Sequence, residues 1–170
     1  MIDNYSLEYI INVGSAGAVN NELSIGDIVI GERLVQHDFD ITAFGHEKGY
    51  ITDTGDFFFS DRVLIQKLKT IIDDLIVRKE DENNKIIIGT IASGDVFCTE
   101  LEMKEQIKNI FDADCVEMEA AAIAQVCYLD NIPFIVIRSI SDTPNGNNQI
   151  DFNEFVTFAS KRCADLVEKI

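Results

Sequence analysis

Four places in this chain carry side chains fit for chemistry. Glu117 and Glu119 stand one residue apart, just ahead of an alanine-rich run, inside the segment CVEMEAAAIAQVCYLDNIPFIVIRSISD at 115–142. The same segment closes on Ser141-Asp142, directly after an apolar run at 134–137. Gly14-Ser15-Ala16-Gly17 follows a second apolar run and Ser93-Gly94-Asp95 follows a third. An ionised carboxylate accepts hydrogen bonds and a protonated one can deliver a proton, so these acids are candidates for binding hydroxyls or for general acid–base catalysis. Each also has a purely structural explanation. The glycine-rich four reads as an ordinary turn, the two glutamates as complements to a helix dipole, and Asp142 as an Asx-type strand end. Phe97 and Phe152 read as core residues. His37 and His46 lie in an irregular stretch with no serine or cysteine nucleophile pattern nearby, which argues against a catalytic triad.

The elements that must position these groups alternate along the chain. Residues 9–13 form an apolar run that reads as a buried strand meeting a tight turn, whose glycines allow close backbone approach or positive φ. Residues 27–35 are rich in β-branched types and read as a second strand. The stretch 36–59 is long and irregular, with Phe39, Phe44, Tyr50, Phe57 and Phe58, and a loop of that length usually serves a site or a partner. Ser60 is placed to cap a helix carrying Leu64, Leu68, Ile71, Ile72 and Leu75 on one face, which ends in the charged run 78–85. A strand at 86–92 follows. A helix over 101–111 then places its apolar side at Leu101, Ile107, Ile110 and Phe111. A short lead at 115–116, a helix to about Leu129 and a strand at 134–140 complete the central segment. Asp151 opens a last helix, with Glu154 completing a capping box, and its inner face is Phe155, Ala159, Cys163, Leu166 and Val167. This order predicts an α/β fold: a mixed, largely parallel central sheet flanked by helices, as one domain over 1–170. Ligands of such sheets bind at the carboxyl ends of the strands, so the strand-end groups should converge at one edge.

Composition narrows the partners. With 14 Lys and Arg against 30 Asp and Glu, the 170-residue chain carries a net charge of −16. That field repels nucleic-acid phosphates and anionic membrane surfaces and leaves small molecules or proteins as expected partners. The 46% hydrophobic content suffices for a core, yet no run approaches the ~20 apolar residues that span a bilayer. Cys98, Cys115, Cys127 and Cys163 have neither C-x-x-C spacing nor a histidine pattern. Neither a metal nor a cofactor is expected, and a reduced, cytoplasmic setting is the simpler reading. The first residues, MIDNYSLEYI, lack the features of a signal peptide.

Taken together, GSAG after a strand, HDFDITAFG, SGDVF, VEMEAAAIA and RSISD, in this order, resemble the 5′-methylthioadenosine/S-adenosylhomocysteine nucleosidases of the purine nucleoside phosphorylase superfamily. The likeness runs from about Tyr9 to the end of the chain. It implies a nucleoside phosphorylase-like fold and hydrolysis of the N-glycosidic bond of methylthioadenosine or S-adenosylhomocysteine, releasing adenine and a thioribose sugar. On the resemblance Asp142 is the general acid that protonates adenine, with a pKa raised by burial or hydrogen bonding, and Ser141 orients it or the adenine edge. Glu119 accepts hydrogen bonds from the ribose hydroxyls and stabilises positive charge at the anomeric carbon. Met118 lies against the ribose and Glu117 orders the turn. Phe97 stacks on adenine, the backbone of Cys98 reads the base edge, Gly17 and Ser15 approach the ligand, and Phe152 covers the site. The resemblance also implies a homodimer in which Ile41, Phe44 and His46 line the alkylthio pocket of the partner subunit, with His46 standing where an aromatic residue is expected.

The resemblance lacks one component. Family members carry an N-terminal portion holding the first strand and a glutamate that activates the attacking water, and no residue here matches it. The fold is therefore expected to be an N-terminally truncated version, with neighbouring strands open to water or wrong pairing. A general base contributes about 10²–10⁴-fold, so hydrolysis by this chain alone is expected to be weak or absent, with the pocket partly retained. Two alternatives remain open: a purine nucleoside phosphorylase, for which Arg138 is the obvious cation near the site, and a non-catalytic nucleoside-binding remnant.

Overall fold

Runs of β-branched residues become strands here and runs with helical periodicity become helices. In the computed structural model, which describes residues 2–78, 84–144 and 152–170 with the side chains of 3, 76–78 and 152–158 excepted, the order is β1 (Ile10–Ala18), β2 (Ile28–Gln36), β3 (Phe58–Phe59), α1 (Arg62–Arg78), β4 (Ile86–Ser93), α2 (Leu101–Phe111), β5 (Cys115–Glu117), α3 (Ala120–Leu129), β6 (Phe134–Asp142) and α4 (Phe152–Val167). The sheet order is β3-β2-β4-β5-β1-β6, and β6 also pairs with β2, so five of the strands close into a ring. The two long ladders, β2 with β4 and β1 with β6, are parallel, as is β4 with β5. The pairings β1–β5, β2–β3 and β2–β6 are antiparallel. This is the mixed α/β sheet the element order implies. An irregularity between Gly31 and Arg33 lets the first half of β2 pair with β6 and the second half with β3, the usual work of a bulge.

Helices cover the ring on several sides. Leu64, Ile65, Leu68 and Ile72 of α1 pack with Cys163 and Leu166 of α4 on Ile28, Ile30, Ile135 and Ile137. Ala120, Ala124 and Cys127 of α3 pack on Val29, Ile91 and Val136. Ile107 and Phe111 of α2 meet Val35, Ala92 and Val116. The four thiols are free and buried, and burial pushes each of them up from the ordinary cysteine value.

Local expectations need correction at several points. Gly14 to Gly17 is not a turn: β1 runs straight through it to Ala18, and neither glycine has positive φ. Their role is close approach. A Cβ on Gly14 would meet the Arg138 guanidinium at 3.2 Å, and one on Gly17 would meet the Asp142 carboxylate at 3.0 Å. Ser60 does not cap α1. Its hydroxyl donates to the Gly31 carbonyl, while Asp61 accepts from the N–H groups of Val63 and Leu64. The irregular stretch ends in a strand, β3. In α2 the buried stripe is Lys104, Ile107 and Phe111, and Leu101 and Ile110 face outward. The capping box at Asp151 and Glu154, the side chains of Phe152 and Phe155, and most of the charged run after Arg78 lie outside the described residues.

Candidate functional site

The carboxyl-terminal ends of β1, β5 and β6 meet around a pocket of about 560 Å³, open mouth included. Ser15 and Gly17 of β1, Glu117, Met118 and Glu119 at the entry to α3, and Ser141 and Asp142 of β6 line it, with Phe97 and Cys98 opposite. All of these are among the residues singled out above. Ser93, Gly94 and Asp95 are not in the wall; the residues just after them are. Ile41, Phe44 and His46 do not line it either. Phe44 is 82% exposed, and the His46 ring stacks on Tyr50 with centroids 4.2 Å apart. Phe97, on base rates a core residue, is 75% exposed.

The two glutamates differ sharply in what surrounds them. Glu117 is buried and saturated: it accepts from the Ser93 hydroxyl, from the Ala120 N–H at 2.9 Å and the Glu119 N–H at 3.2 Å, and from Arg138 through Nε at 3.1 Å and Nη2 at 2.6 Å. Its carboxylate therefore caps the first turn of α3, the dipole-complementing use of an acid. Ser93 also accepts from the Ala121 N–H at 2.8 Å. Arg138, 1% exposed, is held by Glu117 and by the side chain and carbonyl of Asn12. Glu119, next to this network at the N-cap of α3, makes no side-chain cap bond. Its carboxylate is exposed at the pocket with no partner among the described residues. An anchored backbone thus carries an ionisable group whose acceptor sites are all available, as a pair of vicinal hydroxyls requires.

Asp142 is held at both oxygens. Oδ1 accepts from the Ser141 hydroxyl at 2.9 Å, and Oδ2 lies 2.8 Å from Nζ of Lys104 on α2. Neither Lys104 nor Asn12 emerged from the motifs. For Lys104 a signal did exist: a charged residue in register with Ile107 and Phe111 on the buried side of a helix. Among the described residues no cluster of His, Cys, Asp and Glu could hold a metal ion, and no helix is long and apolar enough to cross a membrane.

The Phosphorylase superfamily model matches residues 1–170, the whole chain. The chain belongs to the phosphorylase superfamily. Among curated members, it is 42% identical to the 5′-methylthioadenosine/S-adenosylhomocysteine nucleosidase of Staphylococcus haemolyticus, an alignment covering 100% of this chain and 72% of that protein. It is 41% identical to the nucleosidase of the same name from Listeria innocua, covering 96% and 70%. In structure it is similar to the Campylobacter jejuni nucleosidase of that name, with a TM-score of 0.89 at 36% identity, covering 98% of this chain and 70% of that one. The superfamily fold expected from the motifs is thus the one observed.

His37, at the end of β2, belongs to the HDFD motif but not to the pocket. Its buried Nε2 has no described partner, and the ring fills the space a Gly94 side chain would occupy. Burial holds its pKa below the ordinary 6.5, against the opposing charge of Asp38. The unfolded chain then takes up the proton more readily, so the stabilisation is full above the unfolded value and is lost as pH falls through the folded one. The urea midpoint is expected to drop on mild acidification more steeply in the parent chain than in His37→Gln. Parallel declines in the two would remove His37 as the cause.

Proposed function

We propose that this chain hydrolyses the N-glycosidic bond of 5′-methylthioadenosine and S-adenosylhomocysteine, releasing adenine and the thioribose sugar. The reading rests on one contrast within the pocket: Glu117 is spent on the fold while Glu119, two residues on, is anchored and open. Glu119 binds the ribose hydroxyls and faces the charge that develops at the anomeric carbon as the bond breaks. Met118 packs on the sugar, and Phe97, exposed and beside Cys98, covers the purine face. Asp142, aimed by Ser141, delivers the proton that lets adenine leave as a neutral base. Gly17 gives Asp142 the room to lie across β1.

Cation placement favours water over phosphate as the acceptor. Arg138 is committed to Glu117 and Asn12, Lys104 is committed to Asp142, and no Lys or Arg is among the described pocket residues. Each described carboxylate of the pocket also has a task, so none remains to activate water. Release is therefore expected to run about 10²–10⁴-fold below that of a site with a general base. The proposal includes a single domain, a cytoplasmic setting and a homodimer in which Ile41, Phe44 and His46 reach the neighbouring pocket. In support of the last, Phe59 on β3 and Tyr128 and Leu129 on α3 leave apolar surface exposed.

The test is adenine release from 5′-methylthioadenosine with the chain in excess, paired with calorimetry. Slow release at the same rate with and without phosphate is expected. Glu119→Ala should weaken nucleoside binding by about 10²-fold or more, the loss of two hydrogen bonds to a charged acceptor. Release that requires phosphate would make the chain a phosphorylase, and binding without release would make it a non-catalytic binder. A parent chain that neither binds nor cleaves the nucleoside sinks the reading.

A further inference from the structure

Lys104 is an anomaly that the scheme above leaves unused. It occupies a core position of α2, in line with Ile107 and Phe111, and is 3% exposed. Lysine is almost never buried to this extent unless paired, and a leucine or methionine would fill the same space without desolvating a charge. The one described partner of its ammonium is Oδ2 of Asp142, at 2.8 Å. The side chain of Asp142 is 38% exposed, and its open side faces the pocket. The contact therefore joins a buried cation to the oxygen of the group that must carry a proton for adenine to leave.

These two demands conflict. A carboxylate that accepts from an ammonium on Oδ2 and from Ser141 on Oδ1 is an acceptor on both sides and has no proton to give. We propose that Lys104 is a positioning residue for Asp142: its ammonium fixes the carboxylate against the end of β6, and purine binding loosens that contact as Asp142 takes up a proton. The proton comes from solvent, resides on the carboxyl while the purine is bound, and passes to the purine ring nitrogen as the glycosidic bond breaks, which returns Asp142 to Lys104. Lys104 keeps its own protons throughout. The site is thus armed only when a purine is present. This rests on Asp142 serving the purine, as proposed above.

Among the described residues, few charged and titratable groups face Asp142. Lys104 comes from α2 and the buried Cys98 thiol from the turn before it. Glu117 and Glu119 come from the start of α3, the first already neutralised by Arg138. From β1 the neighbours are Ser15 and Gly17, which carry no charge. Removing Lys104 deletes the one described cation in contact with the Asp142 carboxylate.

The experiment is calorimetric titration of adenine into the full chain, from mildly acidic to mildly alkaline pH, for the parent, Lys104→Met, Lys104→Arg and Asp142→Asn. Adenine affinity of the parent should fall as pH rises, with net proton uptake on binding. In Lys104→Met the fall should move to higher pH, while Lys104→Arg should follow the parent. Asp142→Asn, whose amide can donate at any pH, should give a flat profile. A Lys104→Met curve that superimposes on the parent, with Asp142→Asn flat, overturns the role of Lys104 alone. A pH dependence that survives in Asp142→Asn, or no adenine binding at any pH, overturns the role of Asp142 as well.

Discussion

Asp142→Asn is expected to cut adenine release from 5′-methylthioadenosine by about 10²–10⁴-fold, the usual contribution of a positioned proton donor, while leaving the nucleoside bound. The carboxamide has nearly the shape of the carboxyl. Its oxygen can still accept from Ser141, and its NH₂ can still hydrogen-bond the purine, but it cannot surrender a proton. Adenine is a poor leaving group unless protonated, so the effect should fall on the chemical step and not on binding. Single-turnover release and calorimetry on the same preparation separate the two. The variant also leaves the Lys104 ammonium facing a neutral amide, so a urea melt belongs beside the kinetics. An undiminished rate would move the acid elsewhere; a lost rate with lost binding would make Asp142 a binding group only.

The second large effect is expected in the fold. Arg138→Met should destabilise the chain by about 3–5 kcal/mol, because it strands the Glu117 carboxylate in a buried place. Glu117 would keep the Ser93 hydroxyl and the two N–H groups of the first turn of α3. The ion pair at 2.6 Å that balances its charge would be gone. Denaturant unfolding monitored by far-UV circular dichroism measures the loss. The double variant Arg138→Met with Glu117→Gln should recover part of it, since the uncompensated charge is removed along with its partner. Because the same carboxylate anchors the backbone that carries Glu119, nucleoside affinity should fall in the single variant and return in part in the double. A single variant within about 1 kcal/mol of the parent would show that the pair adds little beyond its own desolvation.

Much of the candidate site could be read along the chain. The apolar run that becomes β6 ends where expected, at Ser141 and Asp142. The acids of VEMEA do sit at the passage from β5 into α3. These features are legible because strand and helix patterns are local, with side chains alternating along a strand and repeating every third or fourth position along a helix. Where local patterns misled, a side chain from elsewhere had taken over. Gly14 and Gly17 look like turn residues but are strand residues made small to admit Arg138 and Asp142 from β6. Ser60 looks like a helix cap, yet its hydroxyl is claimed by the Gly31 carbonyl, and Asp61 serves instead. Lys104 looks like a surface residue of an amphipathic helix and is buried because Asp142 waits for it.

What the amino-acid sequence determined by itself is the supply of groups: an acidic chain, an alternation of strands and helices, and two acids and a serine at strand ends, in an order that resembles a nucleosidase. What only the tertiary structure decided is how each acid is spent. Glu117 and Glu119 are chemically the same residue two positions apart, and nothing local tells them apart. Glu117 turns inward to Ser93 and Arg138, which lie 24 and 21 residues away along the chain, and Glu119 turns outward to the pocket. Asp142 meets its cation across 38 residues. Electrostatic partners are chosen by distance in space, and sequence patterns of period two or 3.6 carry no information about contacts made over such separations.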